Sequence, residues 1–395
     1  MRSKLSKKVY KVLIIFFLSF NSFIFEMKNT FIYIYKVRHI SLEKELINIQ
    51  KYMDNIFNLV LLDKGKKFYP TENPKISVII SVFNGEGYLR TSLLSIQNQD
   101  LKDIEIIMVD DCSVDNSVNL IKELMIKEPR IVFYQNNETR GALFTKTKGV
   151  LLAKGKYILI LDEDDMYVQR DAFSTLYYES EKYNLDLLNY IFIMSQRKLN
   201  HINFTKREYP IIYQPEISEK VFKHYPNGKI QIIGGVLHNY FIKKNLFVKI
   251  IKQIDEKYFK IKMNQHDDIL LVYLLTRNAY NYKKIDRIFH IYYTGWDLKD
   301  KNIKYNKKEK KKIYPYIRCS SLLNFIEFIL ENTDDNFYDK QIAFYSMNKW
   351  FLSYFCRNFT KTREQAINIS NLYLKNKYIQ EEDKKKIRIF LKQSS

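Results

Sequence analysis

The apolar run Tyr157-Ile158-Leu159-Ile160-Leu161 stops abruptly at Asp162-Glu163-Asp164-Asp165, and this junction restricts the fold more than any other stretch of the chain. Consecutive Ile and Leu residues read as a central strand buried on both faces. Ionised carboxylates cannot stay unpaired in a core, because their desolvation costs far more than folding offsets. The acids therefore belong at the carboxyl edge of a sheet, facing water, a cation or a ligand. In open α/β sheets that edge is where ligands bind. A solvated turn is the alternative for one such cluster taken alone.

The neighbouring segments repeat the same plan. A strand over 76–83 ends at Asn84-Gly85, and a helix over 88–99 follows. Next come a strand over 104–109 closed by Asp110-Asp111, a helix over 117–126 stopped by Pro129, and a strand over 130–134. A helix over 143–153, ended by Gly155, leads into the strand 157–161. Strand–helix alternation with short links predicts an α/β fold with a mostly parallel sheet and right-handed crossovers. Right-handed winding places Asn84-Gly85-Glu86, Asp110-Asp111 and the acidic run 162–165 on one edge. A helix over 172–183 and a strand over 185–194 continue the domain. From 195 to 281 the pattern is mixed, with helices expected through 241–251 and over 269–275. Beyond 299 the apolar spacing is helical and predicts a small appendage.

Several classes are excluded by what the chain lacks. No Gly-x-Gly-x-x-Gly and no Gly-x-x-x-x-Gly-Lys-Ser/Thr occurs, which argues against dinucleotide-binding and P-loop proteins. The 3 cysteines and 6 histidines show no zinc spacing. The net charge of +21 is spread along the chain, with one dense run over 299–312, so it predicts no nucleic-acid site. It does suit anionic nucleotides or a membrane surface. Without a Gly-rich loop, a bound diphosphate would need a cation held by carboxylates. Mg2+ and Mn2+ suit that role, and Asp162 with Asp164 forms an Asp-x-Asp holder.

The first residues are also informative. Arg2, Lys4, Lys7, Lys8 and Lys11 precede an uncharged run over 12–25, the layout of a secretory-pathway signal. No small-x-small cleavage site follows, which favours an uncleaved anchor over a cleaved signal peptide. The expected organisation is an anchor or signal over 1–28, a stem over 29–73, the α/β domain over 74–297 and a helical region over 298–395. The expected location is a single-pass membrane protein of the endoplasmic reticulum or Golgi.

The stretches 74–84, Ser95-Ile96-Gln97-Asn98-Gln99, Val109-Asp110-Asp111-Cys112-Ser113-Val114-Asp115 and Leu161-Asp162-Glu163-Asp164-Asp165 resemble family 2 glycosyltransferases of the GT-A fold. The likeness runs from Lys75 to Met194, thins toward Tyr293 and is absent beyond. It implies transfer of one sugar from a nucleotide-diphosphate sugar, UDP-linked by preference, to a glycan, lipid or protein acceptor, with inversion. It further implies that Val82, Phe83, Asn84 and Glu86 border the nucleoside and that Asp111 binds the nucleobase. By the same likeness Asp162 and Asp164 face the ribose, the diphosphate and the Mn2+ or Mg2+, with Asp164 the direct ligand.

Two positions depart from the family pattern: Ser81 stands where Pro is usual, and Lys146 where Arg is usual. Lys146 keeps a charge for a phosphate but loses the bidentate fork. Among the acids of the second half, Asp268 is assigned as the base, supported by Asp267 and His266; a capped helix start is the plain alternative. Gly234-Gly235 and His238-Asn239 fall where the family places acceptor residues. A non-catalytic binding protein on the same scaffold and a nucleotidyltransferase remain as rivals.

Overall fold

A computed structural model describes residues 68–194, 209–224, 230–232, 236–263, 266–292, 323–329, 331, 360–375 and 381–394. The N-terminal apolar run, most of the stem, Gly234-Gly235 and the lysine run over 299–312 lie outside the described residues. Among the described residues no helix is long and apolar enough to cross a membrane.

The first half follows the sequence closely. Strands β1 (Ile76–Val82), β2 (Ile104–Asp110), β3 (Ile131–Gln135) and β4 (Tyr157–Asp162) alternate with helices α1 (Leu89–Gln97), α2 (Ser117–Lys127) and α3 (Ala142–Leu152). A short β5 (Met166–Tyr167) and α4 (Ala172–Tyr183) precede β6 (Leu187–Met194). β1 pairs in parallel with β2 on one side and β4 on the other, and β2 with β3. Alternate strand residues enter opposite cores. Ile79, Ile107, Ile158 and Ile160 pack on one face, and Val78, Ile80, Met108, Leu159 and Leu161 on the other. Each buried Ile or Leu contributes about 1.5–3 kcal/mol, so this double-sided packing fixes the register.

Beyond β6 the chain returns to the sheet in ways the sequence did not announce. Short strands β7 (Ile212–Tyr213), β8 (Phe222–His224) and β9 (Ile230–Ile232) flank a short helix α5 (Glu216–Val221). The helix expected through 241–251 divides into strand β10 (Tyr240–Lys243) and helix α6 (Lys244–Ile251). Tyr240, Phe241 and Ile242 are buried, and β10 lies antiparallel between β4 and β6. Pairing on both edges outweighs the helical period that these residues share with α6. Helices α7 (Glu256–Lys260) and α8 (Asp267–Asn278) then lead into β11 (Asn281–Tyr292), which runs parallel to β6. The order β3-β2-β1-β4-β10-β6-β11-β5, with β7 on β11, makes a nine-stranded mixed sheet.

The helical reading of the C-terminal region agrees with the helix at 323–329, with α9 (Thr360–Leu374) and with α10 (Glu381–Ser394). Phe325 and Phe328 meet Tyr273 and Tyr258 edge to face, so 323–329 shares a core with α7 and α8.

A buried polar cluster stiffens the edge opposite the acids. Glu105 accepts from Ser77 Oγ at 2.6 Å and from the backbone N–H groups of Lys154 and Gly155. Gly155 must be glycine there, because a Cβ would lie 2.5 Å from Ser77 N.

Candidate active site

The three polar turns do meet at the carboxyl edge. Asn84 takes a left-handed backbone (φ 56°) that ends β1, where Asn carries a low steric cost. Its N–H donates to Ser113 Oγ, and its Oδ1 accepts the Val114 N–H, both at 2.9 Å. Gly85 N–H donates to Ser117 Oγ and Glu86 N–H to Asp115. The turns after β1 and β2 are thus stitched into one rim. Phe83 and Asn84 are half-buried and Glu86 is exposed. Val82, however, buries its side chain in the core, and its carbonyl accepts the Asp111 N–H. Val82 therefore supports the rim and offers no surface to a nucleoside.

Asp111 is buried and holds the loop between β3 and α3. Its Oδ1 accepts from Asn136 Nδ2 at 2.8 Å and from Arg140 N at 2.7 Å, and its Oδ2 from Gly141 N at 2.9 Å. A carboxylate has about four lone-pair sites, so capacity remains for one further donor.

α3 packs so tightly on β1 that a Cβ on Gly149 would lie 2.4 Å from Ile79 Cγ2. One turn earlier on the same helix, Lys146 reaches the sheet edge with 4% of its side chain exposed. Its Nζ lies 2.8 Å from Asp268 Oδ1, 2.9 Å from Asp267 Oδ2 and 3.6 Å from Asp162 Oδ1. The phosphate role expected of Lys146 is thereby corrected: three carboxylates surround its ammonium. Burial opposes the charge, but the three acids outweigh it and raise the lysine's pKa well above the usual value.

The acidic run divides by burial. Asp162 and Asp164 are half-buried, whereas Glu163 and Asp165 are buried. Ser92 Oγ lies 2.7 Å from the Glu163 carbonyl and 2.6 Å from that of Asp165, which pins the turn to α1. Ser81, paired with Asp162 across β1 and β4, donates from Oγ to Asp162 Oδ1 at 3.1 Å.

His266 adopts a left-handed backbone (φ 63°) that starts α8 and delivers Asp267 and Asp268 in its first turn. Burial pushes the Asp267 carboxyl up to about 6, against the pull of Lys146. Burial acts on Asp268 in the same sense, but there Lys146 and His238 outweigh it and hold the carboxyl below its ordinary range. Asp268 is also the more accessible of the two, with 20% of its side chain exposed against 6%.

His238 joins the two halves. It is buried, stacked on Tyr292 with ring centroids 5.5 Å apart. Nε2 lies 3.5 Å from Asp268 Oδ2, and Nδ1 lies 3.8 Å from Asp162 Oδ2. Its backbone carbonyl accepts from Tyr190 OH at 2.5 Å, which ties this short turn to β6. His290, on β11, places Nε2 3.1 Å from Asp165 Oδ2 deep in the protein. Nothing in the sequence marked His290, because Lys283, Lys284, Asp286 and Arg287 interrupt the apolar pattern of its strand. The hard carboxylate oxygens of this turn fit a divalent ion such as Mg2+ or Mn2+, and the buried His238 Nδ1, without a hydrogen-bond partner, faces them.

An open, mixed α/β sheet with an acid-bearing carboxyl edge is the architecture of GT-A domains. Structures of S. aureus TarS residues 1–349 have this fold: the complex with UDP aligns at a TM-score of 0.52 and 17% identity, covering 76% of this chain and 80% of TarS 1–349. Residues 77–243 match the profile described as glycosyl transferase family 2. A Campylobacter jejuni GalNAc(5)-diNAcBac-PP-undecaprenol beta-1,3-glucosyltransferase is 39% identical over 26% of this chain and 33% of its own length. An uncharacterized glycosyltransferase of Methanocaldococcus jannaschii is 32% identical over 39% of this chain and 53% of its own. A cholesterol galactosyltransferase of Borreliella burgdorferi is 29% identical over 44% and 49% respectively. The chain thus spans about half or less of these curated relatives.

Proposed function

We propose that this protein is an inverting glycosyltransferase that moves one sugar from a UDP-linked sugar to an acceptor hydroxyl with the help of Mn2+ or Mg2+. The observation that carries the reading is the joining of β4 and α8 at the carboxyl edge. Lys146 and His238 there hold Asp162, on the donor side, beside Asp268.

The stitched rim of Phe83, Asn84 and Glu86, together with the remaining lone pair of Asp111, receives the nucleoside. Asp162 and Asp164 present carboxylates for a cation, which when bound neutralises the leaving diphosphate. Asp268 takes the acceptor proton. Its lowered pKa keeps it ionised at neutral pH, as a base must be. A weakly basic carboxylate receives the proton late, once the new C–O bond has made the hydroxyl acidic. Lys146 positions the base and the donor-side acid together. The acceptor is a glycan or lipid, in keeping with relatives named for undecaprenol-linked and sterol acceptors. The basic and apolar residues 2–25 tether the domain to a membrane.

A screen of nucleotide sugars identifies the donor, and Asp268→Asn then tests the chemistry. Turnover should fall by about 10²–10⁴, with UDP affinity by calorimetry unchanged. Retained turnover refutes the base assignment, and lost UDP binding shows that Asp268 is structural instead.

A further inference from the structure

We propose that Phe192 and Tyr292 seat the acceptor, and that the acceptor hydroxyl belongs to a sugar ring packed against these two aromatic side chains. The inference rests on the reading of this edge as a sugar-transfer site and narrows it, since it chooses between a glycan and a bare lipid.

Both residues stand at the carboxyl ends of their strands and on one face of the sheet. β6 and β11 run parallel, with Phe192 opposite His290 and Tyr292 opposite Met194, and alternate residues of a strand share a face. Phe192 and Tyr292 meet edge to face, with ring centroids 6.4 Å apart and an interplanar angle of 83°. Each is half-buried, so the pair keeps surface for a ligand. Tyr292 is held by His238, on which it stacks at 12°. The same imidazole lies 3.5 Å from Asp268 Oδ2 and 3.8 Å from Asp162 Oδ2. A ring on this pair therefore sits beside the proposed base.

The strand order keeps the pair away from the nucleoside. The rim residues follow β1 and β2, and β4, β10 and β6 separate β1 from β11. Four strand spacings span about 19 Å. The acidic turn 162–165 lies between, because it leads from β4 into β5, which pairs with β11. Rim, acids and aromatic pair thus succeed one another along the edge, as nucleotide, transferred sugar and acceptor must.

The chemistry of the lining selects a sugar. A pyranose has apolar C–H groups on its face and hydroxyls round its rim. Aromatic rings suit the face, and the carboxylate of Asp268 accepts from the rim. Tyr292 adds a donor. Burial and the carboxylates of Asp162, Asp165, Asp164 and Asp268 hold its hydroxyl above the usual tyrosine range, so it stays protonated. A sterol or an alkanol brings one hydroxyl only. Its hydrocarbon would strip water from these acids and the phenol without replacing the lost hydrogen bonds. A lipid that carries a sugar avoids this cost, because the sugar enters the site and the chain stays outside.

The test uses the full chain with UDP, and octyl glycosides of glucose, galactose and N-acetylglucosamine, each of which joins a sugar to an alkyl chain. Saturation-transfer NMR from the aromatic protons should reach the ring C–H groups of at least one glycoside more strongly than its octyl chain. Phe192→Ala should erase that transfer with UDP affinity by calorimetry unchanged, and Phe192→Tyr, which keeps a ring, should retain it. With the donor found by the screen, Phe192→Ala should raise KM for the glycoside about tenfold, more than it lowers kcat. Tyr292→Phe should lower kcat/KM about fivefold. Octanol and cholesterol should accept no sugar. Saturation confined to the octyl chain overturns the proposal, as does transfer to octanol or cholesterol as efficient as to any glycoside. Loss of UDP affinity in Phe192→Ala overturns it too, because Phe192 then supports the fold. Donor turnover in water without ring contact from any glycoside sinks this inference and leaves the sugar-transfer reading standing. Absence of both UDP binding and turnover of every nucleotide sugar sinks that reading, and this inference with it.

Discussion

Replacing Lys146 by Met removes the ammonium that binds Asp267 and Asp268 at 2.9 and 2.8 Å and approaches Asp162 at 3.6 Å, while keeping the buried apolar stem. The lysine side chain is only 4% exposed, so water cannot take over its role. Removing one partner of a buried ion pair costs about 3–5 kcal/mol, because the other charge stays behind uncompensated. At pH 8 the variant should lose that much stability. The loss should shrink on acidification, and its sign can be worked through.

Burial already raises Asp267 to about 6 with the lysine present, and Asp267 and Asp268 must both rise once it is gone. A carboxyl whose folded pKa exceeds its unfolded value, about 3.9, contributes stability that is complete below the unfolded pKa and is lost as pH rises through the folded pKa. The variant therefore gains stability relative to the wild type as pH falls from 8 toward 5. Urea unfolding followed by circular dichroism at pH 8 and pH 5.5 measures both gaps. Adding Asp267→Asn to the variant should recover much of the loss at pH 8, since the pair is coupled. A gap that does not change with pH, or one below about 0.5 kcal/mol at pH 8, would refute the idea that Lys146 neutralises buried acids.

Two further substitutions test the scaffold of the site. Asp111→Ala deprives Asn136, Arg140 and Gly141 of their common acceptor; thermal melting should show about 2–3 kcal/mol of lost stability, and UDP titration weaker binding. Unchanged stability would mean that the loop over 136–141 is held by other contacts. Gly155→Ala would bring a Cβ to 2.5 Å from Ser77 N, and its melting temperature should fall by about 2–8 °C; an unshifted melt would show that the β1 end yields without strain.

How far the sequence could be read depended on where each segment's apolar residues point. From β1 to α4 the strands β1, β2 and β4 are buried on both faces and only the edge strand β3 is partly exposed, so hydrophobic runs and breakers coincide with the elements. The helix expected over 172–183 is α4 to the residue. The strand expected over 157–161 gains Asp162, because Asp162 pairs with Ser81. β11 stayed hidden since Lys283, Lys284, Asp286 and Arg287 interrupt its apolar pattern where the strand is only half-buried. β10 read as helix because Tyr240, Phe241 and Ile242 continue the spacing of α6, and only its pairing with β4 and β6 makes it a strand. The polar turns of the carboxyl edge were legible locally. The contact of Lys146 with Asp267 spans 121 residues, and no local pattern carries it.

Ser81 and Lys146, the two departures from the family pattern, converge in the structure on one atom, Asp162 Oδ1. A proline at 81 would have no hydroxyl to give that oxygen. An arginine at 146 would bring a planar fork suited to one carboxylate face, whereas the compact ammonium reaches three separate carboxylates. Independent decay of an idle site would scatter its losses, leaving buried acids short of donors. Here each changed residue instead supplies charge or a hydrogen bond to the acid whose neighbours include the proposed base. That convergence argues against a non-catalytic domain on this scaffold and for a site in which the donor half and Asp268 are held together by design of the fold.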